Sequence, residues 1–141
     1  MIIGDASKAR LIAVFIDHLF AFAFMLFVLA VVPETQDALR AVLFFVVYIS
    51  YFVVLEGVWS RTFGKFFQGL VVRKLDGSPC DWTGALIRGA TRIIEVNPLL
   101  FGGLPAGLAI MASERKQRIG DMMAGTLVVS DKLVWHDDAN E

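Results

Sequence analysis

Hydrophobic side chains gather in three blocks, residues 11–32, 38–55 and 93–112, and almost every lysine and arginine falls between or beside them. The first block, Leu11 to Val32, is 22 residues long. As an α-helix it rises about 33 Å, the thickness of a bilayer core of roughly 30 Å. The second block follows after only Pro33 to Asp37, so the two helices, about 9–32 and 38–56, form an antiparallel transmembrane hairpin. Positive charge sets its orientation. Lys8 and Arg10 precede the first helix, the turn has no cation, and residues 56–92 carry Arg61, Lys65, Arg73, Lys74, Arg88 and Arg92. The positive-inside rule then places both ends of the hairpin in the cytoplasm.

The third block is interrupted, with Pro98, Gly102, Gly103, Pro105 and Gly107 inside it and basic clusters on both flanks, Arg88 and Arg92 before and Arg115, Lys116 and Arg118 after. A continuous crossing would carry one of those clusters outside. A broken or re-entrant helical hairpin over about 93–112 keeps both inside, provided its irregular turn is buried or lines a cavity. A kinked third span is the alternative. The glycines Gly102, Gly103 and Gly107 suit close helix packing in either case.

A short internal repeat joins these blocks: Gly64-Lys-Phe-Phe-Gln-Gly69-Leu-Val-Val72 and Gly120-Asp-Met-Met-Ala-Gly125-Thr-Leu-Val-Val129. Each copy translates as one helical turn, a glycine able to adopt a left-handed conformation, and a β-branched strand. Strands at about Leu70–Leu75 and Thr126–Ser130 are expected to pair as a small cytoplasmic two-stranded element. Lys65 and Asp121 occupy equivalent positions with opposite charge, either paired with each other or separately solvated. The fold class is thus an all-α membrane protein with a small β element, one membrane domain over 1–130 and a polar tail over 131–141.

Taken in order, these pieces resemble the RDD family of bacterial membrane proteins from about Lys8 to Val129. That family is named for an arginine at the start of its first transmembrane helix, an aspartate midway along it, and a second aspartate. Arg10 and Asp17 match the first two, and Asp121, within Gln117-Arg-Ile-Gly-Asp-Met-Met-Ala-Gly-Thr126, matches the third. Glu56-Gly, Arg61-Thr-Phe-Gly-Lys65 and Gly69 are similar to its other recurrent motif. The resemblance implies the bacterial cytoplasmic membrane. It fixes little chemistry: transport is suggested for the family and cation/proton antiport for some relatives.

Composition agrees with the membrane class, since 57% of residues are hydrophobic and mean hydropathy is +0.66. The first apolar stretch is too long for a signal-peptide core. The single cysteine, Cys80, excludes an intrachain disulfide and reads as a small packing residue. No phosphate-binding glycine loop, zinc-protease helix or nucleophile elbow occurs, so an enzyme, a cofactor or a catalytic metal is not expected, nor is nucleic acid a partner. The basic face formed by Lys65, Arg73, Lys74, Arg115, Lys116 and Arg118 would attract anionic lipid headgroups.

Candidate chemistry centres on Asp17, because a carboxylate inside a membrane helix costs about 3 kcal/mol on insertion scales and marks a relay, a pathway or a structural partner. Arg10 lies seven residues earlier. Helical side chains lean toward the N-terminus, so Arg10 is expected to reach lipid phosphates while Asp17 takes a partner from another segment. Arg88 and Arg92 are candidates, as are the hydroxyls of Tyr48 and Tyr51, although Tyr51 reads more naturally as an interfacial aromatic. His18 projects elsewhere and reads as a hydrogen-bonding or packing residue, and Glu95 as an ion-pair partner of its helical neighbours. Two functions stay open. In one, Asp17 carries a proton or cation in an oligomeric transporter, because two spans can hardly enclose a pathway alone. In the other, Asp17 is the anchor of a membrane module that assembles with itself or a larger complex.

Overall fold

A computed structural model of the chain describes residues 7–95 and 104–132. It is mostly helical, in the order α1 (Ser7–Val31), α2 (Asp37–Trp59), α3 (Phe63–Phe67), β1 (Leu70–Lys74), α4 (Trp82–Glu95), α5 (Leu104–Ala112), α6 (Ile119–Met123) and β2 (Thr126–Ser130). The turn with Pro98, Gly102 and Gly103 and the end of the polar tail lie outside the described residues.

Helices α1 and α2 are long and apolar enough to cross a membrane, and only 22% and 17% of their most apolar stretches are buried within the protein. Leu11, Phe15, Phe22 and Phe27 of α1, and Val42, Val46 and Val58 of α2, point outward. Such faces require a non-aqueous solvent. The α2 helix ends where Ser60 turns left-handed, φ 55°, and returns its N–H to the carbonyl of Glu56 at 3.0 Å. Thr62 then caps α3 by accepting from the N–H of Lys65, so the chain reverses within a few residues.

The repeat is realised in both copies. Short helices α3 and α6 lead to Gly69 and Gly125, both at φ +61°, a conformation that a residue without Cβ adopts at no steric cost. Strands β1 and β2 pair antiparallel with Val72 opposite Val128. The ends of the ladder match as well, for Leu75 N–H donates to the carbonyl of Gly125 at 3.0 Å and Asp131 N–H to that of Gly69 at 2.8 Å. Leu70, Val72 and Val128 pack against Ala13, Val53, Cys80 and Ala85, which joins the sheet to α1, α2 and α4.

The symmetry reaches further than the sequence repeat. Ala13 and Asp17 of α1 meet Gly64 of α3, and Thr91 and Glu95 of α4 meet Gly120 of α6, with the same spacing of four. Seven residues before each carboxylate stands an arginine, Arg10 or Arg88. Each half therefore consists of a helix bearing arginine, a small residue and an acid on one face, then a second helix, a short helix and a strand. A Cβ at Gly64 would collide with the carbonyl of Ala13, and one at Gly120 with the hydroxyl of Thr91. Gly89 brings α4 equally close to Val53 of α2. Among the described residues nothing comes within 4 Å of a Cβ placed at Gly107, and Gly102 and Gly103 lie outside the described residues.

Where α4 lies, the sequence reading placed a basic connector. The helix is amphipathic with its polar side inward: Arg88, Thr91, Arg92 and Glu95 are buried while Leu86, Ile93 and Ile94 face out.

Candidate functional site: a carboxylate anchor and a cationic cavity

Asp17 is 2% exposed and its carboxylate accepts three hydrogen bonds. Oδ1 accepts from the Tyr51 hydroxyl at 2.8 Å and from the backbone N–H of Gly64 at 2.9 Å, and Oδ2 accepts from the Thr62 hydroxyl at 2.7 Å. These donors come from the end of α2 and the start of α3, so one side chain ties α1 to the corner between them. Each of these three groups donates to the carboxylate, so its task in this arrangement is to hold two segments together.

Its counterpart in the second half is Glu95, whose Oε1 accepts from the N–H of Gly120 at 3.0 Å. Sequence reasoning paired Glu95 with Arg88 and Arg92. The structure gives it the start of α6 and, at 3.7 Å, the guanidinium of Arg118.

Between the anchors runs a buried chain of ionic contacts. Lys65 pairs with Glu56, Glu56 accepts from Arg88 Nε at 2.6 Å, and Arg88 also pairs with Asp121. Asp121 further accepts from Arg10 at 2.7 Å and from Arg118 at 3.1 Å. The N–H of Arg118 donates to Asp121 at 3.1 Å, which closes the first turn of α6. Burial opposes the charge on Asp121, but Arg88, Arg118 and Arg10 outweigh it and hold the carboxyl well below the usual carboxylate range. Burial likewise opposes the charge on Arg88, and Asp121 and Glu56 overcome it, which raises its affinity for the proton. For Lys65 burial wins: despite Glu56, its amine is pushed down to about 8.

Several expectations are corrected by this geometry. Arg10 does not reach out to lipid phosphates, because α6 brings Asp121 within its grasp and the carbonyl of Lys116 takes a second N–H. Lys65 and Asp121 are neither solvated nor paired together; Glu56 and Arg88 stand between them. Arg88 and Arg92 are not the partners of Asp17. Tyr51, the presumed interfacial aromatic, is the hydroxyl that meets Asp17, and Tyr48 instead lies 3.4 Å from His18. His18 Nδ1 sits 2.7 Å from the carbonyl of Val14, to which it donates, and Nε2 is the ring nitrogen that faces the Tyr48 hydroxyl. Glu56, unmarked by sequence reasoning except as part of a motif, is 1% exposed and central.

Beside this network lies a cavity of about 580 Å³ bordered by α1, α4, α5 and the loop before α6. Asp17 and His18 touch it, and so do Arg10, Lys65, Arg88, Arg92, Lys116 and Arg118. Arg92 has no carboxylate partner among the described residues; its guanidinium stacks over the ring of Phe52 at 3.6 Å. Burial and the nearby Arg118 push Arg92 down to about 10. Among the described residues no three His, Cys, Asp or Glu side chains gather as a metal site.

Against known proteins, the family model of the RDD family matches residues 7–125. No curated protein and no solved structure matches the chain.

Proposed function

The chain belongs to the RDD family, and from that premise we propose that it is a non-catalytic membrane assembly module in which Asp17 is a structural anchor rather than a transport site. The three hydrogen bonds that its carboxylate accepts from Tyr51, Thr62 and Gly64 carry this reading. Removing the acid would break three contacts between α1 and the α2–α3 corner at once, which is what an anchor does.

The rest of the proposal follows the distribution of charge. The chain sits in the bacterial cytoplasmic membrane as a multi-pass protein, with its N-terminus, the β1–β2 sheet and the buried ionic chain on the cytoplasmic side. The outward apolar faces of α1 and α2 leave room for a second copy or for a larger complex, and self-association into a homo-oligomer is part of the reading.

One observation favours transport as a second reading: the cavity reaches both Asp17 and His18, so a route to the carboxylate exists. Purified protein in liposomes carrying a pH gradient separates the two. If sodium or potassium dissipates the gradient through wild type but not through an intact, equally oligomeric Asp17→Asn variant, the anchor reading fails. Under the anchor reading, neither protein conducts and Asp17→Asn loses stability or assembly.

A further inference from the structure

Ion pairing consumes most of the cations around the cavity. Arg10, Lys65 and Arg88 all have carboxylate partners. Arg118 pairs with Asp121 and, more distantly, Glu95, while Arg92 has no carboxylate partner among the described residues, and both keep N–H groups unmatched. Both are buried, at 3% and 7% exposure. Nε and Nη1 of Arg92, and Nη2 of Arg118, have no hydrogen-bond partner among the described residues. Phe52 covers the face of the Arg92 guanidinium, but a ring cannot accept its in-plane N–H groups. Buried N–H donors of a charged group left without acceptors are costly, and they border a space large enough to hold one. Lys116, exposed at the rim with a left-handed backbone, φ 53°, adds a third cation.

We propose that this cavity binds a phosphate-bearing anion, whose oxygens accept from Arg92 and Arg118 with Lys116 at the rim. Arginine suits that task because its N–H groups match phosphate oxygens in number and direction. Two sources share the chemistry, an anionic phospholipid headgroup and free phosphate. The wall of the cavity favours the first. Leu11 and Phe15 of α1 and Met111 of α5 border it and are 69%, 66% and 77% exposed, an apolar rim over which acyl chains could lie while the headgroup enters. The proposal concerns a ligand site and does not depend on whether Asp17 anchors or transports.

Native mass spectrometry of the full chain released from detergent tests it. Phosphatidylglycerol and phosphatidylcholine are offered in turn, and inorganic phosphate is tested separately by its effect on thermal unfolding. Wild type should retain phosphatidylglycerol over phosphatidylcholine. Arg92→Gln should weaken that retention about tenfold or more, since it removes charged donors. Lys116→Gln, at an exposed position that folding tolerates, should weaken it about fivefold, the effect of one cation near an anionic headgroup. Lys74→Gln, on the surface away from the cavity, should change nothing. If inorganic phosphate stabilises wild type but neither cavity variant, free phosphate is the ligand; if it has no effect while phosphatidylglycerol is held, the lipid is. Equal retention of the two lipids with no phosphate effect, or cavity variants that bind like wild type, overturns the proposal. Should Arg92→Gln fail to fold, Lys116→Gln alone decides.

Discussion

Replacing Asp17 by asparagine keeps the size of the side chain and removes its charge, which isolates what the carboxylate contributes. With the amide oxygen at the place of Oδ1, asparagine still accepts from Tyr51 and Gly64. Both bonds then fall from the charge-assisted range, about 1.5–3 kcal/mol net, to the neutral range of about 0.5–1.5, a loss of about 1 kcal/mol each. At the place of Oδ2 the amide presents N–H to Thr62, which now must turn its own hydroxyl away and accept, although it already accepts from Lys65 N–H at 3.4 Å. That adds about 1 kcal/mol. Polar contacts between membrane helices average only about 0.6 kcal/mol, so the lower end of the resulting range, about 2–3 kcal/mol, is the safer expectation. A loss of that size changes the ratio of folded to unfolded protein by about 30-fold or more. Titration from mild detergent into sodium dodecyl sulfate, followed by circular dichroism, measures it. Tyr51→Phe and Thr62→Val should each cost less than Asp17→Asn, and neither effect should add fully to it. Stability within about 0.5 kcal/mol of wild type, within the scatter of an inconsequential substitution, would refute the anchor reading.

Asp121→Asn leaves Arg10, Arg88 and Arg118 without their shared carboxylate, and breaking a buried network of that kind should cost about 3–5 kcal/mol in the same titration; Arg10→Gln, at a side chain 11% exposed, should cost less. Gly64→Ala drives a Cβ into the backbone of Ala13, whereas Gly120→Ala meets a side chain, so the first should be the more damaging and Thr91→Ala should rescue only the second, with a coupling of about 1 kcal/mol or more. Lys65 in the folded protein loses its proton near pH 8, against about 10.4 in an unfolded chain. The unfolded state binds more protons between those values, so stability should rise with pH from about 8 to 10.4. Lys65→Gln should flatten that slope, and a wild-type profile parallel to the variant's would remove the case for a depressed lysine.

The paired strands were legible because two local signals coincide, a glycine where the chain turns left-handed and a β-branched run behind it. The strand bounds Leu70–Lys74 and Thr126–Ser130 differ from expectation by a single residue. Helix α4 was not legible in its first half, because Arg88 and Arg92 look like the topogenic charges of a connector. In an apolar solvent an amphipathic helix turns its polar face to the protein, and hydropathy averaged over a window cannot see that inversion. A signal did exist: Arg10, Ala13 and Asp17 have the spacing of Arg88, Thr91 and Glu95. Tyr48 and Tyr51 lie within one turn of each other at nearly the same depth, and only the rotational phase of α2 against α1 decides which one meets Asp17. That phase is set by tertiary packing, around Val53 and Gly89 among others.

Arg10, Asp17 and Asp121 do not form a triad. Asp17 serves α3 in its own half, while Arg10 crosses to Asp121 in the other. Under full symmetry Arg88 would cross in return to the position equivalent to Asp121, but that position holds Lys65, and the two cations would repel. Glu56 lies between them and pairs with both. Compensation on that side is therefore supplied by a residue of α2 with no counterpart in the second half, where the position equivalent to Glu56 in the repeat is Ala112. Arg118 has to divide one nitrogen between Asp121 and the more distant Glu95, and among the described residues Arg92 receives no acid. The broken symmetry thus leaves its uncompensated positive charge at one place, the wall of the cavity beside α5, and an anion supplied from outside would complete there what the missing acid does not.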